Sequence, residues 1–500
     1  MRLIPTFVLA CFATVAWAES SVSSTWPLRV WVRTESGEQR SVGATPTADG
    51  SPVAVPGAAN AVPGLSLAGC SALTDVSLGH LAGVTSLTAL VLDRTAVTGP
   101  GLALLKAHPR LARLSLIGTK VDDVSLAHLA GLTALAELDL SDTGVSDLGV
   151  AQLRPLVRLR RLALCRTKIS DAGLTQLTAL SGLVALDLAG CAVGDAAVVG
   201  LKAMPALADL CLADTRITDL ALATVRDLPA LTALDVGETG IGDAGIALLR
   251  DAKGLRRLRV AKTKVGDLGL AHLEPLAQLA ELDLSACRLT DAGLARGRAL
   301  PALRQLRLDR TRIGDAGLQA LQGAPQLSEL SLVDCRISDA GLDALKRLPA
   351  LRTLDLSDTA ITDSGVAQLR EVQTLRRLVL AKTKVGDAGL AVLAGLTQLE
   401  ELVLSDSKIS DGGLTQLQPL AQLRLLDVTG CAVGDAGAPA LAKLTSLREL
   451  RLRSTKVGDV GVAELRVLTQ LRRLELARSK VTPVGISQLR QALPTVDTGP

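Results

Sequence analysis

The chain has 500 residues, 48% of them hydrophobic and 21% charged, with 54 basic against 50 acidic side chains. That is enough apolar material for a packed interior, and it excludes wholesale disorder; the near-balanced charge gives no basis for nucleic-acid binding. Aromatic residues end early: Phe7, Phe12, Trp17, Trp26 and Trp31 are the whole set, and none follows.

The first segment reads as an export signal. Arg2 gives a positive start, Leu3 to Val15 an apolar stretch, and Ala16-Trp17-Ala18 a small-residue cleavage site before Glu19. Residues 1–18 are therefore expected to be removed, leaving a secreted, periplasmic or cell-envelope protein. Val8-Leu9-Ala10-Cys11 is the weaker, lipoprotein reading, because Leu9 is bulky where a small residue belongs. No later apolar run reaches the ~18 residues of a membrane span, so no transmembrane segment is expected.

Residues 19–64 are a different material. Trp26 to Arg33 alternates well enough for one short strand, and Thr34 to Gly64, rich in Gly, Pro, Ser, Thr and Ala, reads as a flexible linker. The strand could instead cover the open end of whatever follows.

From Leu65 onward one unit recurs. Thr95, Thr119, Thr143, Thr167, Cys191, Thr215 and their successors to Ser479 keep strict 24-residue register, and Cys70 adds a slot one residue out of phase. An unbroken period of this length means a stack of near-identical supersecondary units. Within a unit such as 351–374, Leu354-Asp355-Leu356 alternates as a strand. Thr359 and Ile361 turn inward, Asp363 sits where a helix begins and is expected to cap it, and Val366 and Leu369 face the core at i, i+3. The run Leu351-x-x-Leu354-x-Leu356-x-x-Thr359-x-Ile361-x-Asp363-x-Gly365-Val366 resembles the leucine-rich-repeat family, in the bacterial subtype with Thr-Asp-x-Gly-Leu helices, which is similar to the cysteine-containing repeats of F-box substrate receptors. The resemblance implies an α/β fold: a right-handed solenoid or horseshoe of about 18 repeats over residues 65–500, with parallel strands on the concave face and short helices on the convex one. It also implies binding of protein partners.

Several columns bear on function. The Asp column (Asp75, Asp123, Asp147, Asp171 and so on to Asp459, broken at Gly99 and Pro483) places one carboxylate per turn, which does not converge as calcium requires. The Thr/Cys/Ser column is structural. Five of the seven cysteines beyond the leader occupy it, and cysteines two repeats apart are too distant for disulfides, so buried thiols are expected. A basic column follows it: Lys120, Lys168, Arg216, Lys264, Arg288, Arg312, Arg336, Lys384, Lys408, Lys456 and Lys480. Its plain reading is solvated charge paired with nearby Asp; its sharper one is a track for an acidic polymer or membrane surface. On the strand face, the slot between the leucines carries Asp139, Asp187, Asp235, Asp283, Asp355 and Asp427, interrupted by Cys211, Arg259, Arg307 and Arg451. With no aromatic anchors, arginine is left as the binding residue.

Residues 440–500 contain eleven Lys/Arg against five acids. Arg451, Arg453, Arg473 and Arg478, with Arg257, Arg259 and Arg307, are the candidate protein-binding residues. Arg296-Gly297-Arg298 replaces a helix leucine by Gly297 and predicts a locally loose repeat. His80, His128 and His272 are expected on exposed helix faces and His108 at another helix end, too scattered for a metal site or a catalytic pair. The sequence thus points to a non-enzymatic, exported protein-binding scaffold, monomeric, without cofactor, metal or nucleic acid. The alternatives are an intracellular F-box-like adaptor, for which residues 19–64 offer no apolar helix, and a structural surface spacer.

Overall fold

The computed structural model describes residues 32–33, 39–40, 64–71, 73–296 and 300–499. Two compact units divide the chain, 1–240 and 241–500. In the first, eight three-residue strands from Gly64–Ser66 to Ala233–Asp235 pair in parallel, each with the next in sequence. In the second, ten strands from Arg257–Arg259 to Arg473–Glu475 do the same. Register is fixed leucine on leucine: Leu354 lies opposite Leu330 on one side and Leu378 on the other. These are the repeats of the expected solenoid. Before them, Val32–Arg33 pairs antiparallel with Gln39–Arg40, so a second strand falls inside the stretch expected to be linker. Trp26 to Trp31, the signal segment and Cys11 lie outside the described residues.

Each repeat closes around its apolar slots. In 351–374, Leu351, Leu354, Leu356, Ile361, Val366 and Leu369 are fully buried, each side chain contributing about 1.5–3 kcal/mol relative to exposure. The helices are shorter than a free helix could sustain. Asp363–Gln368 is α-helical and tightens into a 3₁₀ turn over Leu369–Glu371, while Asp339–Arg347 is 3₁₀ throughout. Packing, not propensity, holds them.

The Asp column does not cap its own helix, which corrects the sequence expectation. Asp363 is the first helical residue, and the cap is Thr362, whose hydroxyl accepts from the Ser364 N–H. The carboxylate reaches the next repeat instead. Asp315 Oδ1 accepts from Ser338 N at 2.8 Å and Oδ2 from Ser338 Oγ at 2.5 Å. Fifteen repeats share the backbone contact at 2.6–2.8 Å. The motif's glycine follows from this ladder. A Cβ on Gly437 would stand 2.5 Å from Asp411 Oδ1, and one on Gly317 2.6 Å from Asp291 Oδ1. Where the preceding repeat lacks the Asp, at Gly99, the glycine slot holds Ser125. Ala197 and Ala221 are the tolerated exceptions.

The Thr column closes each strand-to-helix corner within its own repeat: Thr167 Oγ1 donates to Leu164 O at 2.7 Å. Cysteine in the same slot works between repeats, Cys191 Sγ donating to that same Leu164 O at 3.1 Å. Cys191, Cys287, Cys335 and Cys431 are buried and in no disulfide, and burial pushes each thiol up. His108 sits at a helix end, as expected, and is buried there: it is 1% exposed, with Nδ1 3.1 Å from Val84 O, and desolvation holds it below the ordinary histidine range. Its slot elsewhere carries Leu132, Leu156 and Met204. Near the leucine-to-glycine exchange, an apolar recess is lined by Leu270, Leu294, Leu300, Leu306 and Leu321; residues 297–299 lie outside the described ones.

Candidate partner-binding face

The strand leucines point inward, so the residues between and beside them form the outer face of each sheet. On the second unit their charges stack across strands in opposite sign. Arg257 Nε lies 3.0 Å from Glu281, Arg376 2.7 Å from Glu400, and Arg377 pairs with Glu401. Part of the alternating mosaic visible in the sequence is thus a set of inter-repeat ion pairs.

At the C-terminal end these merge into one network. Arg451 Nε donates to Glu449 at 2.8 Å, with Asp427 at 3.6 Å and Glu475 at 3.7 Å. Arg473 lies 2.8 Å from Glu475 and 3.9 Å from Glu449, and Arg453 3.8 Å from Glu475. Burial would lower the Arg451 guanidinium, but its hydrogen bond to Glu449 and the charges of Glu449, Asp427 and Glu475 outweigh it and hold it up. Three arginines thus face three carboxylates, and the local excess of positive charge counted along the sequence is largely neutralised on this face. The structure brings Arg451, Arg453 and Arg473 together. Arg257 pairs separately with Glu281, and Arg259 is half-buried. Arg307 and Arg478 are exposed and among the described residues in no ion pair, Arg478 on a turn residue of φ 60°.

The first unit has a different face. Asp93, Asp139 and Asp187 repel one another across the strands. Asp139 is 5% exposed, and burial raises its carboxyl to about 6 despite hydrogen bonds from Ser141. Cys165 and Cys211 are half-buried among these carboxylates, and burial followed by the Asp187 charge drives both thiols up. They are poor nucleophiles at neutral pH. The sequence lists Asp139 with its column, but gives no sign of its burial.

Among the described residues no group of three or more His, Cys, Asp or Glu is placed to hold a metal ion, and no helix is long and apolar enough to cross a membrane. The basic column is exposed throughout, and among the described residues none of its members is in an ion pair, which sets aside pairing with nearby Asp.

A family model described as Leucine Rich repeat matches residues 228–249, 300–321, 325–346, 348–369, 373–394, 422–442 and 443–465. No curated protein matches. Among solved structures, the chain is similar to TLR13 in its complex with ssRNA13 (18% identity, TM-score 0.55), covering 81% of this chain and 64% of that one. It is also similar to the mouse RP105/MD-1 complex (16% identity, TM-score 0.50), covering 86% and 88%. An LRR protein of Leptospira interrogans is 18% identical at a TM-score of 0.43, covering 74% and 91%. At these identities the likeness is one of fold.

Proposed function

The chain is a leucine-rich-repeat protein, and on that footing we propose that it is an exported, non-enzymatic scaffold that holds a protein partner on the strand face of residues 241–500. Proteins of this fold generally bind other proteins through such scaffolds. The observation that carries the reading is the arginine-carboxylate network at Arg451. It holds planar donors at fixed positions, so little side-chain entropy is lost on docking. Arg453 and Arg478 are the exposed anchors beside it, and Arg473, with Arg307 six strands and Arg257 and Arg259 eight strands earlier in the sheet, completes the contact surface. Affinity then comes from polar complementarity and arginine, since no Trp, Tyr or Phe follows Trp31 to anchor an interface on the repeats.

The test is affinity capture from the organism's envelope fraction with wild type and with Arg453→Glu/Arg478→Glu, which spares Arg451. Loss of a specific captured protein supports the reading; an unchanged set overturns it. Export is tested by sequencing the N-terminus of the mature protein. A start at Glu19 is expected, and an intact Met1 overturns export.

A further inference from the structure

The turn that leaves each strand in the second unit carries a cation in eight of its repeats: Lys264, Arg288, Arg312, Arg336, Lys384, Lys408, Lys456 and Lys480, with Ala360 and Ala432 as the interruptions. All eight are exposed, and among the described residues none has a side-chain hydrogen bond or ion pair. Their backbones are clamped. Each N–H donates to the corner carbonyl of the preceding repeat, as in Arg288 to Val265 O at 2.8 Å, Arg312 to Leu289 O at 3.0 Å and Arg336 to Ile313 O at 2.9 Å. Parallel bridges such as Gly266 with Arg288, Thr290 with Arg312 and Gly314 with Arg336 add a second small ladder beside the main sheet. Successive cations are therefore held one strand spacing apart, about 4.8 Å, and Lys264 to Arg336 form an uninterrupted row about 14 Å long.

Like charges at that interval repel, and among the described residues no ion pair relieves them. The neighbouring turn column is mixed, Lys262, Arg310, Lys382 and Arg478 against Asp334, Asp358 and Asp406, and the Asp ladder beside the row already accepts from the next repeat, as Asp315 does from Ser338 N and Oγ, so the cations of the row are left for an outside anion. On this surface, separate from the strand face, we infer that residues 264–480 bind a linear acidic polysaccharide, a polymer with one carboxylate per sugar, laid along the turn edge. A line of cations at fixed spacing matches a chain of anions at comparable spacing, and docking releases condensed counterions. Lipid is the poorer match because along the middle of the row the adjacent helix-start column holds only Ala292, Ala316, Ala340, Ser364, Ala388 and Gly412, and the exposed bulky residues of that column, Leu268 and Val460, stand singly towards its two ends. Single-stranded nucleic acid is poorer still, since no Phe, Trp or Tyr follows Trp31 to stack a base along the row.

The experiment uses the full chain with oligouronates of increasing length, measured by fluorescence anisotropy at several salt concentrations. Affinity should rise with length until the row is spanned. Arg288→Glu/Arg312→Glu/Arg336→Glu should weaken binding roughly tenfold or more and flatten the log–log salt slope by about 2. The control Arg347→Glu/Arg370→Glu/Lys443→Glu, an equal charge change at exposed helix-side positions, should leave both nearly unchanged. Circular dichroism melting checks that each variant folds. Binding independent of length, or equal loss in the control, overturns the proposal. So does column-dependent binding to single-stranded DNA or to phosphatidylglycerol vesicles that is tighter than to oligouronate, which would assign the row to another anion.

Discussion

Asp139 and Asp427 occupy the same slot of the repeat in the two units, and nearly everything local about them is alike. One is 5% and the other 6% exposed, and each accepts from the N–H two residues on, Ser141 and Thr429, at 2.9 Å. They differ in what the next strand offers. Asp139 lies in register with Ala163, with Asp93 and Asp187 repelling it, while Asp427 lies in register with Arg451, 3.6 Å away. The backbone of a repeat therefore sets a side chain's burial, and the strands one period away set which charges it meets. Uniform solenoids can carry very different electrostatics on one scaffold.

The largest expected effect follows from Asp139. Its carboxyl is raised from 3.8 to about 6, so in the folded chain it keeps its proton where the unfolded chain has lost it. Stability from this group is fully present below about pH 3.8 and is lost as pH rises through about 6. Asp139→Asn keeps the acceptor for Ser141 and removes the charge, and should stabilise the first unit by on the order of 3 kcal/mol at pH 7. The gain should vanish by pH 4, measured by urea unfolding across that range. His108 works in the other direction: held below its ordinary value by desolvation, it contributes stability above the unfolded value of 6.5 that is lost as pH falls. His108→Leu should flatten the acid side of the profile while Asp139→Asn flattens the neutral side. A profile unmoved by Asp139→Asn would remove the comparison's first half.

Arg451→Met tests the second half. It leaves Asp427, Glu449 and Glu475 facing one another without their shared cation. Because the Arg451 side chain is only 26% exposed, screening is partial, and the loss should be about 2 kcal/mol at pH 7. Urea unfolding measures it, and a variant as stable as wild type would mean that the cation on the facing strand does nothing for the buried carboxylate.

How much of this was legible in the sequence depends on the distance over which each residue acts. The leucine, Thr and Cys slots act within a repeat or on the core as a whole, and a 24-residue period displays them directly. The Asp column was misread because its partner lies 23 residues away: reasoning inside one repeat sees a helix start and supplies a local cap. A signal for the true partner was present in Ser125, which fills the glycine slot after the one interior repeat lacking the Asp. His108 was legible too, through its alignment with Leu132 and Leu156, had the slot been weighed above the residue type. Among the predicted contact arginines, counting charges could not show that Arg451 and Arg473 spend theirs on Glu449 and Glu475. That depends on cross-strand geometry at the level of single atoms.

The smallest effect is the most discriminating for that last point. Arg377 and Glu401 form an isolated cross-strand pair with side chains 43% and 38% exposed, outside the network that surrounds Arg451. Water screens such a pair, and its coupling should be about 0.5 kcal/mol. In a double-mutant cycle, Arg377→Ala and Glu401→Ala should each cost little and combine almost additively, whereas the Arg451 and Glu449 cycle should couple several times more strongly. If both cycles returned the same coupling, the C-terminal network would be no more than adjacent surface pairs. Its arginines would then have no claim to being held in place for a partner.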